Sequence, residues 1–124
     1  MDRQQVLHNF FKSFDVPAYD QLSVPDSKIE TFPRITYESA VGDLFDQIAI
    51  TADIWDRSSS WVTVANIFNR MSDAIGLGGI TFPCDGGGLW IKKGQPFMRR
   101  MPADVNDSSV RRMHLNLYVE FITT

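Results

Sequence analysis

Cys84, His114 and Asp53 are the side chains whose types could form a catalytic set, since a thiol, an imidazole and a carboxylate in a row make nucleophile, base and orienter. A catalytic thiol needs its pKa lowered by an imidazole or a helix N-terminus beside it. The chain places only Asp85 next to Cys84, and His114 lies far along the sequence. Cys84 is therefore expected to be a small buried or loop residue. Asp53 is the odd carboxylate in an otherwise apolar run from Ile48 to Trp55. A buried carboxylate can act as a general base, but the commoner arrangement is a sheet edge or an arginine across strands, and that is the expectation. His8 and His114 have no neighbouring cluster of ligands and are read as surface or boundary residues.

Two further patterns could bind ions. Gly86-Gly87-Gly88 has the composition of a phosphate cradle, but a P-loop continues into Lys and Ser/Thr and then a helix. Here Leu89-Trp90-Ile91 follows, which reads as a strand, so the glycines are expected in a hairpin loop. Gly76-Leu77-Gly78-Gly79 lacks the third glycine of a dinucleotide fingerprint. Asp104, Asn106 and Asp107 suggest calcium, but an EF-hand from Asp104 would need glycine where Ser109 stands and glutamate where Leu115 stands. A polar turn explains them. With one cysteine and two histidines, neither a disulfide nor a His- or Cys-rich metal site is expected, and no cofactor.

The elements that would carry these residues follow from hydrophobic periodicity. Asp2 caps a predicted helix over 2–14 with Val6, Leu7, Phe10, Phe11 and Phe14 on one stripe. Residues 15–33, marked by Pro17, Pro25 and Pro33, read as an extended arm, long for a connector. Alternation predicts strands over 34–40 and 45–55, joined by a turn at Gly42-Asp43. A second helix over 60–75, capped by one of Ser58, Ser59 and Ser60, turns Trp61, Val64, Phe68, Met71 and Ile75 to one side and ends at Gly76. Short strands are expected at 78–82 and 88–92, with another at 96–101. A long one over 110–122 has Met113, Leu115, Leu117, Val119 and Phe121 on its apolar face. The fold class is α+β: one domain over 1–124, a small, mainly antiparallel sheet flanked by two helices, in the order α-β-β-α-β-β-β.

The chain has 124 residues, 44% hydrophobic and 22% charged, ordinary values for one globular domain. No apolar run approaches the ~20 residues of a membrane span, so no membrane partner is expected. The opening Met1-Asp2-Arg3-Gln4-Gln5 does not resemble an export signal, and a lone thiol fits a reducing cytoplasm. Net charge is −3, unevenly spread: residues 1–62 hold 5 Lys/Arg against 10 Asp/Glu, and residues 63–124 hold 7 against 5. The late cluster Lys92, Lys93, Arg99, Arg100, Arg111 and Arg112 reads as the solvated face of a sheet, with a protein-contact patch as the alternative. It is sparser than the basic stripe usual in nucleic-acid binders.

Four segments carry a family resemblance. Phe32-Pro33-Arg34-Ile35-Thr36-Tyr37-Glu38 resembles the opening strand of small tail-completion proteins of long-tailed phages. Gln47 to Trp55 resembles their second strand, which ends in Trp. The serine-rich step into an amphipathic helix from Ser58 to Ile75 is similar, as is the C-terminal strand around Arg112 to Tyr118. The likeness spans the whole chain and is best over 32–76. The arm from Pro17 to Pro33 and the 83–88 loop vary freely in such proteins.

The resemblance implies a siphophage tail terminator or tail completion protein, also called a minor capsid protein. Such a protein is not an enzyme. It forms a hexameric ring on the head-proximal end of the tail in the virion, stops growth of the tail tube and presents a surface to the head connector. Partners would be other copies, the tail tube protein and the connector proteins, and DNA would pass without being held specifically. A ring needs apolar or arginine-rich surface left over after the monomer folds. Trp90, Phe97, Met98, Arg99 and Arg100 are the candidate interface residues. A head–tail adaptor or neck protein is the alternative within this class, and a small-ligand enzyme or binding domain the alternative outside it.

Overall fold

The computed structural model describes residues 1–25, 31–38, 47–102 and 109–123. Its elements are α1 (Arg3–Lys12), β1 (Ala18–Asp20), β2 (Arg34–Tyr37), β3 (Ile48–Arg57), α2 (Val62–Ile75), β4 (Ile80–Cys84), β5 (Gly87–Arg100) and β6 (Val110–Thr123). One mixed sheet of six strands runs β1-β2-β3-β6-β5-β4. β1 and β2 are parallel, and every other neighbouring pair is antiparallel.

The described residues thus form a mixed α/β fold with two helices, which departs from the expected order in two places. The arm over 15–33 is not wholly irregular: Ala18-Tyr19-Asp20 adds a strand beside Ile35-Thr36-Tyr37, so the order is α-β-β-β-α-β-β-β. The two strands expected at 88–92 and 96–101 are one strand, β5, whose register against β6 slips between Lys93 and Met98. Gly94 enables the slip, because a Cβ there would lie 2.7 Å from the Asn116 carbonyl oxygen, while the Asn116 amide donates to the Pro96 carbonyl at 2.9 Å. The turn expected at Gly42-Asp43 and the polar turn at Asp104, Asn106 and Asp107 lie outside the described residues.

α1 starts as its sequence demands. Asp2 accepts from the Gln5 backbone N–H at 2.8 Å, and the Gln5 side chain accepts from the Asp2 N–H, closing a capping box. Its stripe of Val6, Leu7, Phe10 and Phe11 is buried. Phe11 stacks on Tyr37 of β2, and Phe10 packs against Phe82 of β4. The sheet curls so that α1 bridges its two outermost strands, β1 and β4.

α2 begins at Val62 rather than residue 60, after Ser58 and Ser60 have each accepted a backbone N–H two residues on. It buries Val64, Ile67, Met71 and Ile75. This corrects the expected face: Ile67 is central, and Phe68 is only half-buried, against Phe97. Gly76 ends the helix at φ 68. Both helices pack into one core with Ile35, Ile50, Ile54, Leu89, Ile91, Met113, Leu115 and Leu117, all from one side of the sheet. Among the described residues no helix lies on the other side.

Candidate functional site

The uncovered side of the sheet takes the alternate residues of its strands. In register across it stand Arg34, Trp55 and Arg112, and two residues further along Thr36, Asp53, His114 and Arg99. Asp53 is 4% exposed, and its Oδ1 accepts from Arg112 Nε at 2.9 Å and lies 2.8 Å from His114 Nδ1. The expected pairing of Asp53 with an arginine across strands is therefore present. His114, read as an ordinary boundary residue, is its second partner.

Trp55 donates its indole N–H to Thr36 Oγ1 at 2.9 Å. Its ring also receives two guanidiniums, Arg112 at 4.7 Å and Arg34 at 5.2 Å from the centroid. Phe32 repeats the arrangement with Arg34 at 4.7 Å and Arg57 at 5.2 Å. The result is a ladder, Arg57–Phe32–Arg34–Trp55–Arg112, alternating cation and ring. Beside it an open groove of about 370 Å³ runs between the sheet and Gln21, Leu22 and Val24.

A carboxylate holding an imidazole is two-thirds of a hydrolytic triad. In register, however, His114 has Asp53 on one side and Arg99 on the other, and neither brings the hydroxyl or thiol that such a triad needs. Cys84 pairs with Gly87, and Gly87 with Thr123, nine residues down β6 from His114, so thiol and imidazole stand roughly 30 Å apart. Among the described residues no group of three His, Cys, Asp or Glu could hold a metal. Gly86 takes φ 83 in the tight β4–β5 turn, and Gly87 packs where a Cβ would meet the Ile122 carbonyl. These roles are structural and need no phosphate. His8 shares a 2.6 Å hydrogen bond with the Tyr37 hydroxyl at a cavity of about 390 Å³ that also includes Asp20. Burial, with the Asp20 carboxylate adding to it, raises the Tyr37 pKa.

The five candidate interface residues divide between the two sides of the sheet. Met98 and Arg100 pair with the core-side residues Leu115 and Met113, and Phe97 meets Phe68 of α2 at 5.4 Å. Trp90 and Arg99 pair with Glu120 and His114 on the uncovered side. Trp90 is also tied down, its indole donating to the Gly78 carbonyl at 2.9 Å with Lys92 Nζ 4.1 Å from its ring. Sequence reasoning missed a neighbour of the core-side group. Trp61 lies under Arg100 at 4.8 Å and Arg111 at 5.7 Å, with Val62 63% exposed beside it. The available signal was Trp61-Val62, two large apolar residues at a helix start where only one can face inward. No helix of the described residues is long and apolar enough to cross a membrane. No family model, no curated protein and no solved structure matches the chain.

Proposed function

We propose that this chain is a structural assembly protein of a long-tailed phage virion, a tail terminator that closes into a ring of identical subunits on the head-proximal end of the tail tube. Its partners on this reading are further copies, the tube protein and the head connector. Two things support it. The segments resembling tail-completion proteins are neighbours in space: β2, β3 and β6 are adjacent strands and α2 lies on β3 and β6.

The observation that carries the reading is the patch where α2 begins. Trp61, Val62, Phe68, Phe97 and Met98 leave apolar surface outside the core, and Arg100 and Arg111 rim it. Aromatic and Met anchors with arginine at the edge are the composition of contact surfaces between subunits. A ring requires a second, different patch on the neighbour, and the exposed carboxylates Asp2, Asp73 and Asp85 offer rim charge of the opposite sign.

The test is Val62→Asp with Arg100→Glu, both at exposed positions. Mass by sedimentation and ring images on isolated tail tubes are compared with wild type. The expected outcome is loss of the ring with an unchanged melting temperature. Wild type remaining monomeric on tubes, or a variant that assembles equally well, overturns the reading.

A further inference from the structure

Leu77 stands fully in solvent, at 105% exposure, yet the turn that carries it is held in place. Gly76 and Gly79 flank it at φ 68 and 86. Between them the Gly78 carbonyl accepts the Trp90 indole N–H at 2.9 Å. A Cβ on Gly79 would stand 2.5 Å from that indole nitrogen, so the turn is seated against β5 as well as bonded to it. An exposed leucine on a loose loop needs no explanation. One on an anchored turn is already ordered and loses little further freedom when a partner covers it. At the other end of α2 lies the apolar patch of Trp61, Val62, Phe68, Phe97 and Met98. α2 has 14 residues, about 21 Å of helix, so the leucine and the patch cannot meet within one chain.

We propose that Leu77 of one copy docks into the patch around Trp61 and Val62 on the next, joining neighbouring subunits head to tail through opposite ends of α2. The proposal rests on the ring reading for its partner, a second copy of this chain. The apolar groups match: one projecting leucine faces a surface of aromatic rings and methionine, and both lose water when they meet. The two surfaces differ, so their contact is heterologous, the kind that passes from subunit to subunit instead of stopping at a pair. The charges match as well. Asp73 is exposed one helical turn before Leu77. At the patch, Arg100 lies 4.8 Å from the Trp61 ring and Lys93 Nζ 5.3 Å from the Phe97 ring, and the first turn of α2 has no acid. Lys92, beside Gly79, is engaged by Glu120 at 3.8 Å. Within one subunit these charges oppose the helix dipole, with a cation at the start of α2 and an acid in its last turn. Across a head-to-tail contact each faces the opposite end of a neighbouring helix, where its sign is favourable.

The experiment is cross-linking by a short bis-maleimide, in whole chains carrying Cys84→Ala so that no native thiol competes. Cys84→Ser repeats the comparison if the alanine disturbs folding. Val62→Cys chains are mixed with Leu77→Cys chains, both at exposed positions. Their mixed product should exceed that of Val62→Cys with Leu22→Cys at least about tenfold, because docking raises the effective thiol concentration. Leu22 serves as control because it is 89% exposed and follows β1, at the other edge of the sheet from β4. A chain carrying both Val62→Cys and Leu77→Cys should build a ladder of multimers beyond the dimer. A mixed product no greater than the control overturns the proposal, and so does a ladder that stops at the dimer, which would mean a twofold pair. A ring on tail tubes without the cross-link would sink this contact and leave the tail reading standing. A cross-linked ladder from a chain that ignores tail tubes would keep the contact and sink the tail reading.

Discussion

Asp53 Oδ1 accepts from Arg112 and contacts His114 at the same oxygen, so one buried carboxylate joins β3 to two positions of β6. Removing it leaves Arg112 without its carboxylate in a half-buried setting. Asp53→Ala should destabilise by about 2–3 kcal/mol, below the 3–5 of a fully buried pair because Arg112 keeps some contact with water. Combining it with Arg112→Ala should cost clearly less than the two separate losses together, measured by urea unfolding in a double-mutant cycle. Full additivity would show that the pair does not couple.

The core has one aromatic centre and one aromatic margin. Phe11 is fully buried and stacked on Tyr37 with centroids 4.7 Å apart. Phe11→Ala should cost about 3–5 kcal/mol. Phe68 is half-buried, and Phe68→Ala should cost about 1 kcal/mol. The order of the two in chemical denaturation is the check, and a reversal would mean that the helix faces are misassigned.

Tyr37 links stability to alkaline pH. Its folded pKa lies above the ordinary tyrosine value through burial, with the Asp20 carboxylate adding to the effect. Below about pH 10 both folded and unfolded chains keep the proton, and the contribution is fully present. As pH rises through the unfolded value and towards the folded one, only the unfolded chain releases it, and stability falls. Tyr37→Phe should flatten that part of the stability profile, read by denaturation across the alkaline range alongside tyrosinate absorbance. An unchanged slope would exclude Tyr37 as its source.

Gly87 is a packing requirement. A Cβ on it would stand 1.9 Å from the Ile122 carbonyl oxygen, which belongs to backbone and cannot swing aside. Gly87→Ala should destabilise by about 1–3 kcal/mol, whereas Gly78→Ala, with no atom within 4 Å of the added carbon, should be close to neutral. Thermal melts of both variants compare them directly.

What the sequence made legible was alternation within the long strands β3 and β6. Ile50, Ala52 and Ile54 face inward and Thr51, Asp53 and Trp55 outward, as their spacing predicts, and β6 follows the same rule. What it concealed was register. That Asp53 would meet an arginine was readable as a type of contact, but that Arg112 and His114 both reach it depends on the β3–β6 pairing, which no local pattern encodes. β5 shows the same limit. Leu89 and Ile91 point inward, and straight counting would turn Arg99 inward too, but the slip after Lys93 puts Met98 and Arg100 on the inner side instead. β1 escaped notice because three residues carry no periodicity, and its partner lies across the arm in a parallel pairing. The arginine ladder joins residues 32, 34, 55, 57 and 112, and only the folded sheet makes them neighbours.

The bridging position of α1 has a consequence for aggregation. An open sheet ends in two strands with unpaired backbone donors and acceptors, each a template for another chain. Here those strands are β1, only three residues long, and β4, which carries Pro83, and the same helix rests against both. A lesion in α1 would therefore do more than lower stability, because it would bare both templates in one event. Chains lacking residues 1–14 should add to one another strand by strand and form β-rich fibres rather than dispersed unfolded monomers.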